Sequence, residues 1–359
     1  METISFARGI PAPELLPVSE LADCARAAIE RDGRTILNYG PAGGYAPLRA
    51  WIADRHAVDA DRVVLTNGSL QGLAFLARRL VPEGRVLVET PTYDRPLKLL
   101  AELGADVRGI PVDDEGLDVD ALAAELRGAP VSFLYTIPTF QNPTGRTLST
   151  DRRRRLVEIA RENDLLIVED DPYGLVRFEG TAPPTLFELA DGEGVVYGSS
   201  FSKTIAPGAR VGYLMLPDAL AQAVTASATA TYITPSLVGE ATVHEFLRRG
   251  LLETNLTRVR AGLRERRDAM LTALERELGD AATWSRPEGG YFLWLELGEE
   301  MDARELLRRA EAAGVTFVPG ADFGGPPNSL RLAFSFVDAA AVADGIGRLA
   351  SLVPAAAPV

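Results

Sequence analysis

The sequence predicts an α/β protein, in which a large domain with a mostly parallel seven-stranded sheet between helices is followed by a smaller α+β domain. Short apolar runs rich in Val, Ile and Leu alternate with helix-like segments from Val63 onward, as in doubly wound sheets. The alternation stops near Ala219, and a second group of strands follows after long helices. At 359 residues the chain is long enough for two domains with substantial cores.

Seven apolar runs have the length and composition of buried strands, and four segments between them have apolar residues at helical spacing. The strands are predicted at Val63–Leu65, Val86–Val88, Val107–Pro111, Phe133–Ile137, Leu165–Val168, Val195–Tyr197 and Val211–Leu216. The helices are predicted at Ser69–Leu80, Tyr93–Leu103, Val119–Leu126 and Arg152–Asn163. Strands that alternate with helices in this way are typical of a parallel sheet covered on both faces.

The segments on either side of this alternation are predicted to form an N-terminal arm and a small domain. Prolines keep the arm, Ile4–Pro17, from forming a regular helix, and a helix then runs from about Ser19 to Arg31. Later elements are predicted as helices at Ala219–Thr231, within Val238–Met270 and near Ala303–Ala313, and as strands at Tyr291–Leu295, Val315–Val318 and Leu330–Phe334. We therefore expect an arm and helix that join the small domain (1–35), a large domain (36–237) and a small C-terminal domain (238–359).

Composition disfavours several classes of function. The formal net charge is −13, from 37 basic and 50 acidic residues, which disfavours nucleic acid as a partner. No apolar run approaches the ~18 residues of a membrane span, and the first residues show no secretory pattern, so we expect a cytoplasmic protein with no membrane partner. Cys24 is the only cysteine, and with only His56 and His244 present we expect no metal site.

Lys203 is the candidate chemical centre, because it lies on a short loop between two predicted buried strands. Partial desolvation and a neighbouring cation lower the pKa of a lysine amine and free the amine to attack an aldehyde. Ser200, Ser202 and Arg210 lie in the same segment and carry hydroxyl and guanidinium donors suited to a phosphate. The alternative is a surface lysine beside a turn.

Other candidate residues also follow the ends of predicted strands, where ligands bind in sheets of this kind. They are Asn67, Gly68, Ser69, Tyr93, Asn142, Asp170 and Tyr173. Gly68 and Ser69 open a helix whose free N–H groups favour an anion, although an ordinary helix cap fits equally well. Asp170 needs a cationic partner or several donors at the end of an apolar strand, unless it caps the next turn. Arg331 lies on a strand face lined by small residues, from which it could bind a carboxylate through two hydrogen bonds. The alternative is an arginine without a partner at the rim of a cavity.

Six segments, in order along nearly the whole chain, resemble motifs of the fold-type I aminotransferases that use pyridoxal 5′-phosphate (PLP). They are TNGSLQGL (66–73), PTY (91–93), QNPTG (141–145), EDDPY (169–173), SSFSKTIAPGARVGY (199–213) and NSLRLAFS (328–335). Each motif alone is weak, but six in family order are specific. The chain is identified as a member of class I/II, and it is most similar to the 2-aminoadipate/kynurenine branch.

The resemblance implies a role for each candidate residue. Lys203 is the catalytic residue and carries PLP as an aldimine. The residues implied to bind PLP from the same subunit are Gly68, Ser69, Leu70, Tyr93, Asn142, Asp170, Tyr173, Ser200, Ser202 and Arg210. Among them Asp170 pairs with the pyridine nitrogen, and Asn142 and Tyr173 donate to the phenolic oxygen. Tyr39 reaches the phosphate of the neighbouring subunit, which implies a homodimer with composite sites.

The implied reaction moves the α-amino group of an L-amino acid to a 2-oxo acid, with 2-oxoglutarate as the expected acceptor, by a ping-pong mechanism. Arg331 holds the substrate α-carboxylate together with Asn142, and the arm with Arg8 and Gly9 folds over the substrate. The family commonly has glycine where this chain has Arg8, so Arg8 either points inward and favours acidic side chains or points into solvent. A PLP-dependent decarboxylase, lyase or racemase and a ligand sensor without catalysis stay open as alternatives.

Overall fold

The computed structural model describes residues 3–354, in which three sheets are surrounded by helices. The strands are β1 (Ile4–Ser5), β2 (Val63–Thr66), β3 (Arg85–Thr90), β4 (Val107–Asp113), β5 (Gly116–Leu117), β6 (Val131–Thr136), β7 (Ile167–Asp170), β8 (Val195–Ser200), β9 (Gly212–Met215), β10 (Ala282–Trp284), β11 (Phe292–Leu297), β12 (Val315–Thr316), β13 (Val318–Pro319) and β14 (Ser329–Ala333). The α-helices are α1 (Val18–Ile36), α2 (Ala46–His56), α3 (Ser69–Leu80), α4 (Asp94–Glu102), α5 (Val119–Glu125), α6 (Thr150–Glu162), α7 (Leu186–Leu189), α8 (Asp218–Tyr232), α9 (Leu237–Arg248), α10 (Leu251–Glu277), α11 (Ala303–Ala312) and α12 (Ala339–Ala350). The outermost residues of the predicted arm and small domain, 1–2 and 355–359, lie outside the described residues.

The large sheet has the strand order β2-β9-β8-β7-β6-β3-β4-β5. The neighbours from β8 to β4 are parallel, whereas β9 runs antiparallel to both β2 and β8. All seven predicted strands are present, which confirms the α/β fold. The additional strand β5 pairs antiparallel with the end of β4, and its two residues are too few to show any periodicity in the sequence.

Helix α1 extends to Ile36, beyond its predicted end at Arg31. Its inner face, on which Cys24 and Ala28 are buried, packs against α9. Packing of this kind outweighs the low helix propensity of Gly33, which a local pattern cannot show.

The single strand predicted at Val315–Val318 is divided between two sheets. β12 pairs in parallel with β1 of the arm, and β13 pairs antiparallel with β14. Phe317, between them, is buried. The arm is thereby attached to the C-terminal part of the fold, while the domain boundaries at 35/36 and 237/238 stay predictions.

A second sheet, of order β10-β11-β14-β13, faces the carboxyl ends of β3, β6, β7 and β8. A contiguous core of buried apolar side chains joins this sheet to the large one. In the part of the chain that the structure describes, none of the helices combines the length and apolar character needed to span a bilayer. The space between the two sheets holds the candidate site.

Candidate active site

A cavity of about 430 Å³ lies at the carboxyl ends of the parallel strands and is bounded on the other side by β11 and β14. Residues predicted from the sequence make up most of its lining. They are Gly9, Gly68, Ser69, Leu70, Tyr93, Asn142, Asp170, Tyr173, Ser200, Ser202, Lys203, Arg210 and Arg331. The carboxyl ends of the parallel strands thus form a place where residues from the whole length of the chain come together.

Lys203 follows β8 and directs its amine into the cavity. Its Nζ donates a hydrogen bond to the carbonyl oxygen of Gly9 at 2.7 Å and lies 5.1 Å from the ring centroid of Tyr291. Burial lowers the pKa of the Lys203 amine to about 8, and the positive charges of Arg331 and Arg210 contribute. A substantial fraction of this amine is therefore neutral and nucleophilic near neutral pH.

Asp170, the last residue of β7, has one satisfied and one unsatisfied carboxylate oxygen. Its Oδ2 accepts a hydrogen bond from the hydroxyl of Tyr135 at 2.7 Å, while Oδ1 is buried with no hydrogen-bond partner. Burial raises the pKa of Asp170 to about 6, against the opposing hydrogen bond from Tyr135. A buried acceptor without a donor calls for a ligand N–H, and the protonated nitrogen of a pyridine ring supplies one.

The start of α3 forms a corner suited to a phosphate. Ser69 begins the helix, so its backbone N–H has no acceptor within the helix. Gly68 has φ +97°, and a Cβ there would collide with the guanidinium of Arg210, which donates to the carbonyl of Asn67 at 2.8 Å. A Cβ on Gly212 in β9 would likewise collide with the backbone of Ser69. Both glycines allow a close approach, and the residues present fit the phosphate of PLP.

Arg331 on β14 and Asn142 of the large domain meet across the cavity. Arg331 Nη1 donates to Asn142 Oδ1 at 2.9 Å, and Nη2 donates to the carbonyl of Ala7 at 2.9 Å. Its Nε is buried without a partner, and the guanidinium carbon lies 4.1 Å from the ring centroid of Phe292. Burial lowers the pKa of Arg331 to about 10. This buried cation is well placed to hold a carboxylate.

Two tyrosines predicted to contact the cofactor are kept protonated by their surroundings. Burial raises the pKa of Tyr93 and raises that of Tyr173 well above its ordinary value. The ring of Tyr173 lies 5.6 Å from that of Tyr291 and 5.8 Å from that of Phe292, centroid to centroid. The Tyr173 hydroxyl is therefore a hydrogen-bond donor throughout the neutral pH range.

A model of the family "Aminotransferase class I and II" matches residues 14–349. The chain belongs to this family. It is 41% identical over 354 residues to a 2-aminoadipate transaminase of Thermus thermophilus, in an alignment that covers 96% of this chain and 89% of that protein. It is 35% identical over 368 residues to aromatic-amino-acid aminotransferase 1 of Thermococcus litoralis, with 98% and 88% covered.

Among solved structures, an alpha-aminoadipate aminotransferase from Thermus thermophilus, complexed with N-(5′-phosphopyridoxyl)-L-leucine, superposes with a TM-score of 0.93. The two sequences are 38% identical, with 98% of this chain and 92% of that chain covered. The protein is therefore a PLP-dependent aminotransferase of fold type I, and the predictions of family, fold, enzymatic activity and cofactor are confirmed.

Two predicted site residues of the aminotransferase lie outside the cavity of their own chain. Arg8 is exposed, and its guanidinium carbon lies 5.2 Å from the ring centroid of Phe336. Tyr39 is 75% exposed, close in sequence to Leu37, which is 66% exposed. The structure thus does not bring Arg8 to the substrate side of the arm, and it leaves Tyr39 accessible to a neighbouring molecule.

Sequence reasoning missed three aromatic residues of the aminotransferase site. Tyr135 lies inside β6 and binds Asp170, a contact that strand periodicity cannot show. Tyr291 donates its hydroxyl hydrogen to the backbone carbonyl of Lys203 at 3.0 Å, and Phe292 packs under Arg331. The available signal was the pair of glycines before Tyr291, because a Cβ at Gly290 would lie 2.6 Å from the Phe140 side chain and marks a close approach.

Proposed function

We propose that the aminotransferase moves the α-amino group of an L-amino acid to a 2-oxo acid, with 2-oxoglutarate as the acceptor, in two successive half-reactions. The observation that carries the proposal is the convergence of three side chains in one cavity. They are Lys203 with a lowered pKa, Asp170 with an unpartnered Oδ1, and Arg331 with an unpartnered Nε. Their charges complement an aldehyde cofactor with a pyridine ring and the carboxylate of an amino acid.

The residues that would hold PLP in this proposal form three groups, for the phosphate, the pyridine nitrogen and the phenolic side of the ring. The N–H groups at the start of α3 (Ser69 and Leu70) and the side chains of Ser200, Ser202 and Arg210 hold the phosphate. With PLP bound, Asp170 Oδ1 would accept from the pyridine nitrogen, Asn142 and Tyr173 would donate to the phenolic oxygen, and Tyr93 would stack on the ring. When bound, PLP supplies an electron-withdrawing ring that takes up the electron pair left at Cα.

Lys203 moves the proton in each half-reaction. Its neutral Nζ removes the proton from the substrate Cα, and the Gly9 carbonyl at 2.7 Å orients the amine. Arg331 holds the α-carboxylate, so the Cα–H bond has a fixed direction relative to Lys203. Asn142 binds Arg331 through its Oδ1 and thereby ties carboxylate recognition to the cofactor side of the cavity.

The active unit in this proposal is a cytoplasmic homodimer with composite sites, in which Tyr39 contacts the cofactor phosphate of the neighbouring subunit. The exposed apolar side chains of Tyr39 and Leu37 support an interface at this position. The cytoplasmic location rests on the sequence alone. The names of the bacterial and archaeal relatives, for 2-aminoadipate and for aromatic amino acids, support a broad amino-acid donor range.

The composition of the chain makes the central assignment easy to test, because Lys98 and Lys203 are its only lysines. Lys98 is exposed on α4 and pairs with Asp94 at 2.8 Å. We expect borohydride reduction followed by peptide mapping to place PLP on Lys203. We expect Lys203→Ala to bind PLP without covalent attachment and to lose single-turnover conversion of a panel of amino acids, while Lys98→Ala keeps both.

An adduct on Lys98, or wild-type protein that shows no PLP absorbance, would contradict the assignment. Release of carbon dioxide or of a racemised amino acid instead of a 2-oxo acid would point to a decarboxylase or racemase. The appearance of the 2-oxo acid in the first half-reaction, before any acceptor is added, is the expected outcome.

Arg8 contacts the substrate in this proposal only if the arm rearranges, because its guanidinium now stacks on Phe336. We expect Arg8→Ala to change kcat/KM for glutamate and for leucine by the same factor. A loss confined to glutamate, about ten- to a hundredfold for a charge-assisted bond, would show instead that Arg8 turns inward during catalysis.

A further inference from the structure

Glu89 is a carboxylate buried beneath the site, at the end of β3, and is only 2% exposed. Its Oε1 accepts a hydrogen bond from the hydroxyl of Thr136 at 2.5 Å, and both oxygens lie 3.2 Å from the backbone nitrogen of Ile137. Its Oε2 also accepts from Gln141 Nε2 at 3.0 Å. Both oxygens are thus occupied by donors from β6 and from the turn that follows it.

Gln141 connects Glu89 to two loops around the cavity through further hydrogen bonds. Its Nε2 also donates to the carbonyl of Pro91 at 2.7 Å, and its Oε1 accepts from the N–H and the hydroxyl of Thr144 at 2.9 and 2.7 Å. Each polar atom of the amide therefore has partners. The two connected segments carry Tyr93, two residues after Pro91, and Asn142, the next residue after Gln141.

A buried carboxylate with no arginine or lysine in hydrogen-bond contact is expensive to keep, because burial penalises its charged form. An apolar side chain would fill the same space at lower cost if packing were its only task. The donors that compensate Glu89 come from the segments that carry the cofactor-facing residues. The origin of these donors in segments that line the cavity distinguishes Glu89 from a carboxylate that only stabilises the core.

We propose that Glu89 is a positioning residue, which through Gln141 fixes the amide of Asn142 between Arg331 and the cofactor. The inference rests on the proposed role of Asn142 toward PLP. Loss of the Glu89–Gln141 contact loosens the turn at 141–145, so Asn142 donates less well to the phenolic oxygen and holds Arg331 less firmly. Both the bound cofactor and the recognition of the substrate carboxylate respond.

The test compares Glu89→Gln with a matched variant, Glu245→Gln. Glu245 has a side chain that is 0% exposed, but its oxygens bind Arg31, Arg248 and Arg249 at the α1–α9 contact, away from the cavity. In Glu89→Gln the new amide N–H opposes the N–H of Gln141 or of Ile137. Both variants are expected to lower the melting temperature, so stability alone does not separate them.

The absorbance of PLP bound to Lys203 in the holoenzyme, recorded against pH, separates them. We expect the titration midpoint to rise by about one unit in Glu89→Gln, because the deprotonated form loses a hydrogen bond, and to stay unchanged in Glu245→Gln. We expect kcat/KM to fall about ten- to a hundredfold only in Glu89→Gln. Backbone amide exchange at Thr144 and Gly145 is expected to accelerate in the same variant.

The decisive experiment is the exchange of the two side chains in a double variant, Glu89→Gln with Gln141→Glu. It restores a donor and an acceptor between the two positions, but it gives up the bond to the Pro91 carbonyl and one of the two contacts with the Ile137 N–H. We expect the double variant to recover most of the change in midpoint. The proposal is overturned if Glu89→Gln has a wild-type titration, if Glu245→Gln shifts it equally, or if the exchange recovers nothing. A wild-type protein without PLP absorbance would instead refute the proposed function itself.

Discussion

The lowered pKa of Lys203 leads to a quantitative expectation for the protein freed of PLP. Its value of about 8 lies below the 10.5 of an ordinary lysine. The difference corresponds to about 3 kcal/mol of free energy that favours the neutral amine over the charged one at this buried position. At pH 7.5 about one amine in four is then neutral, compared with about one in a thousand for an ordinary lysine. Arg331 is the largest charge contribution after burial, so Arg331→Met is expected to raise the pKa of Lys203.

The assay is the second-order rate constant of covalent PLP attachment at sub-saturating PLP, which reports on the protein free of PLP, followed by rapid mixing and absorbance between about pH 6 and 10. Only the neutral amine attacks the aldehyde, so the midpoint of the pH profile reports the pKa of Lys203. We expect a midpoint near 8 in the wild type and one about a unit higher in Arg331→Met, with attachment about tenfold slower at pH 7.5.

Arg95 provides the matched control for this experiment. It lines the same cavity, but its side chain is 57% exposed, and its charge does not contribute to the shift of Lys203. Arg95→Met is therefore expected to keep the wild-type midpoint. A wild-type midpoint near 10, or equal shifts in both arginine variants, would refute the link between burial, the Arg331 charge and amine reactivity.

Three further outcomes are expected. Gly9→Ala should reduce kcat/KM by about tenfold or more, because its Cβ would lie 2.5 Å from an aromatic ring of β11 and displace the carbonyl that binds Lys203, as measured by steady-state kinetics. Hydrogen bonds, first that of Arg248, lower the pKa of Glu245 to about 2, so the melting temperatures of wild type and Glu245→Gln should differ at pH 7 and converge as pH falls below about 4.5. A mixture of inactive Tyr39→Phe and Lys203→Ala subunits should regain activity through hybrid dimers with one intact site, and failure to regain it once hybrids are verified would count against shared sites.

Much of the fold and the centre of the cavity could be predicted because both leave local signals. The strands of the large sheet are continuous apolar runs, and polar residues directly after such runs must lie at its carboxyl edge. Lys203, Asp170 and Ser69 were found in this way, and the structure places them in one cavity. The place of β9 between β2 and β8, antiparallel to both, had no comparable signal, because pairing partners are not encoded in periodicity.

The residues that support the cavity were missed because their partners are distant in sequence. Glu89 binds Gln141 across 52 positions, and Tyr291 reaches Lys203 across 88. The charged Glu89 directly after the apolar run Val86–Val88 was a usable signal, since a carboxylate in the buried part of a strand must be compensated by donors. The orientation of Arg8 could not be predicted from the sequence. Its guanidinium lies over the ring of Phe336, a contact between distant positions that the local sequence does not reveal.

The contacts of the N-terminal arm also show in which order the parts of the cavity become available during translation. The arm is the first part of the described chain to leave the ribosome, yet its Gly9 carbonyl binds Lys203 across 194 positions and its Ala7 carbonyl binds Arg331 across 324. At about 5–20 residues per second, the arm waits about 15 to 65 seconds for the last of these partners to be translated. All strands of the large sheet, and Lys203 with them, are therefore translated before Arg331, so the cofactor side of the cavity leaves the ribosome before the residue that completes its substrate side.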